Sequence, residues 1–291
     1  TRQFPGTIEM AAPKETNKDK PVFIITTGRS GSTLFQKLLN TNPGLVIWGE
    51  HAGILNPLMH AYLTVQNVDW IPDDVAKGTW MLDPSRPIDP DRWTAWDGSF
   101  SKAGFNRSLR KFTDSLFCEH VPGQMRWGFK EIRYCDDRFI DFMLSLYPKA
   151  QFIVLMRNPV KSCVSFATSN SKEKPEPADV LESRAETVAK KQVKPAFAFF
   201  RRVLAQDRDE VCAIRFENLV DDPLQTMRDI ESFLELDTPF ENENISKIVS
   251  TDIVSQRKRT PSDVYDLVSS HAVNLLMEET SWYESIGNTE A

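Results

Sequence analysis

Short apolar runs of strand length alternate along this chain with segments whose apolar positions recur at helical spacing. PVFIIT (21–26), LVIW (45–48), QFIVLM (151–156) and VCAIRF (211–216) are the clearest runs, and RWGFK (126–130) is a fifth, more mixed one. Hydrophobicity that is continuous rather than alternating marks strands buried on both faces, the habit of a parallel sheet. Between the runs, Leu34, Leu38 and Leu39 share one helical face. So do Phe105, Leu109, Phe112 and Leu116, and again Phe139, Ile140, Met143 and Leu146. Strand alternating with amphipathic helix predicts an α/β fold in three layers, a central parallel sheet of about five strands flanked by helices.

Local signals refine this picture. Pro159 stands at an allowed first helical position after Arg157-Asn158, opening a helix through Ser165. A long helix is predicted from about 180 onward, with Pro195 kinking it. Two further helices are expected in DPLQTMRDIESFLEL and PSDVYDLVSSHAVNLLMEE. Periodicity fades from about 56 to 100, where Trp70, Trp80, Trp93 and Trp96 collect with Pro and Asp, and 172–179 reads as a charged loop. Residues 1–20 read as a flexible arm and 21–291 as a single domain with no internal repeat.

Charge and cysteine usage narrow the function classes. A net charge of −6 excludes a general nucleic-acid or anionic-membrane binder, although a local basic pocket is compatible with it. No apolar run approaches the roughly 18 residues needed to span a bilayer. Cys118, Cys135, Cys163 and Cys212 are irregularly spaced with no CxxC pair, so no metal site is expected, and buried thiols are the plain reading. The chain begins at Thr1 with its first methionine at Met10, which reads as a trimmed or excised piece. A missing targeting signal therefore carries little weight. The expected location is the cytoplasm or a larger soluble protein, with the Golgi lumen the alternative if an anchor preceded this segment.

Two places carry chemistry. The loop between the first strand and helix, TTGRSGST, offers backbone N–H groups and a helix N-terminus to an anion, with hydroxyls at Ser30, Ser32 and Thr33 and a fixed cation at Arg29. Gly28 and Gly31 permit close approach of the backbone. Only two residues separate those glycines and no lysine follows, so this is not the loop of an ATP- or GTP-cleaving enzyme. The strand QFIVLM delivers Arg157 to the same sheet edge, with Ser165 eight residues later on the next helix; a guanidinium and a hydroxyl suit a phosphate monoester.

Together TGRSGSTL and RNPVKSCVSF resemble the two cofactor motifs of the sulfotransferases that use 3′-phosphoadenosine 5′-phosphosulfate (PAPS). In motif style they are closest to tyrosylprotein, Golgi-type and bacterial members. The resemblance spans about 21–260 and implies a P-loop-like fold. It implies that Arg29, Ser30, Gly31, Ser32 and Thr33 hold the 5′-phosphosulfate, and Arg157 and Ser165 the 3′-phosphate. IRFENLVDDP resembles the segment beside the adenine, with Phe216 replacing the usual tyrosine. VSTDIVSQRKR resembles a cofactor-closing loop in which Ser250, and secondarily Lys258, meet the cofactor. LVIWGEHAG resembles the Gly-Glu step that presents a catalytic glutamate, here Glu50, with neighbouring His51 the rival base. WGFKEIRY places Lys130 where the family's lysine approaches the bridging oxygen, although Ile132 stands where proline is usual. Glu131 and Arg133 read as structural pairs.

The implied activity is sulfuryl transfer from PAPS to an acceptor hydroxyl on a small molecule, carbohydrate or tyrosine. The leaving product is adenosine 3′,5′-bisphosphate (PAP), and no metal is required. A nucleotide-dependent kinase and a non-catalytic bisphosphate binder remain the alternatives at this point. The sequence leaves the acceptor and the oligomeric state open.

Overall fold

The computed structural model describes residues 17–74, 100–169, 176–257 and 262–286, with side chains left out over 252–257 and 262–265. The expectations placed on residues 1–16, on Trp80, Trp93 and Trp96, on 172–175 and on Lys258 lie outside the described residues.

All five predicted strands form: β1 (Val22–Thr26), β2 (Leu45–Trp48), β3 (Arg126–Glu131), β4 (Gln151–Met156) and β5 (Val211–Arg215). They make one wholly parallel sheet in the order β2-β3-β1-β4-β5. The fold class is α/β, as the continuous apolar runs require: β1 and β3 are buried along their whole length.

Helix α1 (Ser32–Leu39) lies with Ile24 and Ile153 in one apolar cluster, and α4 (Asp137–Leu146) and α5 (Pro159–Ala167) lie with Phe23, Ile25 and Val154 in the other. Adjacent strands β1 and β4 therefore send their following helices to opposite faces. In an open parallel sheet such a switch leaves a crevice beyond the carboxyl ends of the strands.

Sequence and structure part at three helices. Helix α2 (Leu55–Gln66) forms where periodicity had faded, burying Leu55, Met59 and Val65 against α3 (Lys102–Phe117) and α4. The expected single long helix is α6 (Ala178–Val188) and α7 (Lys194–Leu204), joined by a π-helical stretch Ala189–Val193. That stretch sets Pro195 in the first turn of α7, so the departure from regular α-helix falls just ahead of the proline. After α8 (Phe216–Asp221) and α9 (Pro223–Leu234), the segment that resembles a closing loop is helical, forming α10 (Asn242–Arg257). Helices α11 (Ser262–Leu275) and α12 (Met277–Ile286) complete the chain.

At the amino edge of the sheet, buried Arg126 donates to the carbonyls of Lys20 at 2.7 Å and Leu234 at 2.6 Å and to Gln151 Oε1 at 2.7 Å. Desolvation brings its pKa down to about 10. The four cysteines are free thiols, and burial pushes Cys118, Cys163 and Cys212 up to about 11 and Cys135 up to about 12. Among the described residues no helix is long and apolar enough to cross a membrane, and no His/Cys/Asp/Glu group could hold a metal.

Gly128 fixes the spacing of the sheet. A Cβ there would stand 1.7 Å from the Val22 carbonyl oxygen, a backbone atom held by the β1–β3 ladder. Gly128→Ala is expected to lower stability by about 3 kcal/mol, since overpacking a fixed backbone contact falls at the upper end of such penalties. An unchanged urea midpoint would show that the sheet can breathe there.

Candidate active site

The parallel strands bring the loop after β1, Glu50, Lys130 and Arg157 to one edge. In register, Ile24 of β1 lies beside Lys130 of β3, and Thr26 beside Leu155 of β4, two residues before Arg157. Trp48 lies beside Phe129, so Glu50, two residues on, emerges next to the end of β3.

The loop after β1 is tightly built. Thr26 Oγ1 donates to the Leu155 carbonyl at 2.6 Å and lies 2.7 Å from Ser30 Oγ. The Ser30 hydroxyl is thus buried inside the loop, where it ties the loop to the end of β1. Ser32 is buried at the start of α1 and Thr33 is exposed beside it. Two rings press on the two glycines: a Cβ on Gly28 would meet Phe166 at 2.3 Å, and one on Gly31 would meet Phe216 at 2.0 Å. Gly31 also has φ +84°, so glycine is required by conformation as well as by contact. Arg29, with φ 61°, holds a strained left-handed backbone that turns its side chain toward α5.

The two expected anion elements meet. Arg157 Nη1 donates to the Arg29 carbonyl at 2.9 Å, and Arg29 Nε donates to Ser165 Oγ at 3.2 Å. The Arg157 guanidinium also lies 5.1 Å from the centre of the Phe216 ring. That ring, only 6% exposed, underpins Arg157 and Gly31 rather than offering an open stacking face. Ser250 is exposed on α10, its hydroxyl donating to the Lys247 carbonyl at 3.0 Å, while neighbouring Val249 packs in the cluster that contains α1.

Beside this basic group lies a carboxylate–cation relay. Lys130 Nζ, its side chain 5% exposed, is 2.6 Å from Glu50 Oε1, and Glu50 itself is 36% exposed. Arg133 Nη1 reaches Glu50 Oε2 at 3.5 Å and Glu131 Oε1 at 2.6 Å. Sequence reasoning missed the first of these: Arg133 is no mere partner of Glu131 but touches the candidate base. Burial alone would push the Glu131 carboxyl up. Hydrogen bonds from the N–H groups of Gly53, His51 and Ile132 and from Arg133 outweigh it, and the net shift is downward.

His51 is placed differently. Its ring is packed among Phe117, Phe129 and Tyr134, with centroids at 4.8, 4.6 and 5.5 Å. Its Nε2 lies 2.6 Å from the Tyr134 hydroxyl, which also accepts from the Leu55 N–H at 3.0 Å. Desolvation holds its pKa below the ordinary histidine value, so it is neutral near pH 7. Burial pushes the Tyr134 phenol up, so that hydroxyl keeps its proton to donate to the imidazole.

A cavity of about 540 Å³ lies at the opposite edge, lined by Lys20, Lys149, Gln151 and Glu235 among others, away from all of these groups. At the carboxyl edge Arg29 and Arg157 meet, and the Lys130–Glu50 pair stands at the end of the neighbouring strand β3. Two guanidiniums suit an anion, and the carboxylate can take a proton.

Sequence comparison agrees with this geometry. The model of the sulfotransferase family matches residues 21–241, about three-quarters of the chain, so α10, α11 and α12 fall outside the match. No curated protein sequence matches. Among solved structures, the chain is similar to mouse sulfotransferase SULT7A1 complexed with PAP, at 13% identity over 84% of this chain and 66% of that one, TM-score 0.45. It therefore spans just under two-thirds of that protein's length. It is also similar to the sulfotransferase domain of the Synechococcus PCC 7002 olefin synthase (18% identity, 93% and 98% covered, TM-score 0.47). A third is sulfotransferase STF9 from Mycobacterium avium (16%, 91% and 76%, TM-score 0.43). Likenesses this distant carry no inference about chemistry.

The depressed carboxyl of Glu131 has a consequence for acid stability. A group whose folded pKa is lowered adds stability above its unfolded value, about 4.5, and loses it as pH falls through the folded value. Glu131→Gln is expected to be clearly less stable than wild type at pH 7, with the gap narrowing as the pH falls below 4.5. Urea midpoints at several pH values check this, and a gap that does not change with pH would contradict it.

Proposed function

The chain belongs to the sulfotransferase family, and from that premise we propose that it transfers a sulfuryl group from PAPS to an acceptor hydroxyl, releasing PAP. The observation that carries the reading is the hydrogen bond from Arg157 to the Arg29 carbonyl, which makes one cleft of two anion-binding elements. The donor set fits the group: guanidinium and backbone donors suit its phosphates, and a nearly buried ammonium suits its sulfated end. PAPS supplies an activated sulfuryl group on a phosphate leaving oxygen.

Arg29, the N-terminal amides of α1, Ser32 and Thr33 bind and orient the 5′ end. Arg157 and Ser165 bind the 3′-phosphate, the feature that sets PAP apart from ordinary nucleotides. Glu50 accepts the proton of the acceptor hydroxyl as the new sulfur–oxygen bond forms. Lys130 stabilises the charge that gathers on the oxygen released from sulfur. Ion pairing with Lys130 at 2.6 Å holds Glu50 at the sheet edge. His51 is the weaker base, because its Nε2 is engaged by Tyr134 and its ring is enclosed.

Calorimetry separates this reading from a kinase. Wild type is expected to prefer PAP over ADP with no dependence on magnesium, and Arg157→Ala to weaken PAP by about tenfold or more while barely touching ADP. Equal losses on both ligands would remove the 3′-phosphate assignment, and no transfer of labelled sulfate to any hydroxyl acceptor would leave only a binder. Glu50→Gln is expected to lower kcat by about 10²–10⁴-fold with PAP affinity nearly kept. Turnover that survives this change would move the base role to His51.

A further inference from the structure

Three consecutive residues at the end of β5 each reach a different part of the molecule. Arg215 stacks over the Tyr283 ring of α12, with 4.3 Å to its centroid. Phe216 supports the Arg157 guanidinium and presses on Gly31. Glu217 turns toward the start of α5, where its Oε1 accepts from the Asn158 N–H at 3.3 Å and lies 3.8 Å from Lys161 Nζ. Its Oε2 accepts a hydrogen bond from the Tyr283 hydroxyl. Asn158 follows Arg157 directly, so the Glu217 carboxylate grips the backbone just past that guanidinium, while Phe216 supports the guanidinium from the other side.

The position of Glu217 is chemically awkward. A carboxylate beside a phosphate cradle repels the anion and competes for the helix N-terminal donors unless it is held in a fixed place. Tyr283 provides that restraint. Its side chain is 1% exposed, packed against Phe197, and burial pushes its phenol up, so the hydroxyl keeps its proton and remains a donor. Glu217 then has both oxygens engaged: Asn158 and Lys161 on one side, Tyr283 on the other. Tyr283 lies on a helix outside the family match.

We infer that Tyr283 is a positioning residue for the 3′-phosphate site: α12, through the Tyr283–Glu217 hydrogen bond, fixes the Arg157-Asn158 corner. The inference rests on the PAPS reading above, and its test keeps the two separable. The full chain is titrated with PAP and with adenosine 5′-phosphate, which differ at the 3′-phosphate. Wild type is expected to favour PAP strongly. Tyr283→Phe keeps the ring and removes only the donor. It is expected to lose about five- to tenfold of that preference, a part of the worth of one hydrogen bond to a charged group because the effect is indirect, with affinity for adenosine 5′-phosphate changed by no more than about twofold.

If the variant weakens both nucleotides equally, or neither, Tyr283 is only a packing residue and the inference falls while the cofactor reading stands. If wild type does not distinguish the two nucleotides, the cofactor reading falls and takes this one with it. A second measurement does not depend on the variant folding. By reciprocity, PAP should slow amide hydrogen exchange over 277–286 of the wild-type chain more than adenosine 5′-phosphate does. Equal protection by the two ligands would overturn the coupling.

Discussion

Arg157 holds its guanidinium between the Phe216 ring and the carbonyl of Arg29, and that contact sets the two ends of the cleft relative to one another. Two arginines from neighbouring strand ends repel each other, and nothing intrinsic to either loop would keep them together. The ring offers a face that attracts a cation, and the carbonyl offers a dipole at the right end. The guanidinium is thereby fixed in place by groups from two other elements.

The same economy explains the glycines of the first loop. From the sequence they read as room for a phosphate; in the structure each is also room for a ring, Phe166 over Gly28 and Phe216 over Gly31. The rings arrive from α5 and from the end of β5, the very elements that carry Ser165 and follow Arg157's strand. Loop shape and the geometry around Arg157 are thus enforced by shared aromatic contacts. The carboxylate end depends instead on hydrogen bonds converging on Glu131, which organise the turn after β2 and anchor Arg133 against Glu50.

What the sequence made legible was whatever rests on burial and local chemistry. Strands buried on both faces announce themselves as unbroken apolar runs, and Asn158-Pro159 marks the start of α5 through capping alone. Arg29 and Arg157 could be placed at one edge because parallel strands leave no other option. Helix α2 stayed hidden because its apolar face is thin and Pro57 reads from the sequence as a break, although it falls in the first turn, where a proline is tolerated. The π-helical join stayed hidden because a proline reads as a kink unless the preceding turn widens to receive it. Glu217 sat inside a segment already singled out, yet nothing local distinguishes a carboxylate that caps a distant helix from one that merely opens its own. Tyr283 carried no signal at all, since its partner lies 66 residues away.

Strand order has a last consequence, for the way the chain comes off the ribosome. β1 is the central strand, flanked by β3 and β4, while its immediate successor β2 is kept from it by β3. The loop after β1 is synthesised well before its strand has partners, since neither lateral neighbour exists until residues 126–131 and 151–156 have emerged. Until then an intensely apolar pentapeptide has nothing to pair with, and shielding it falls to whatever meets the nascent polypeptide first.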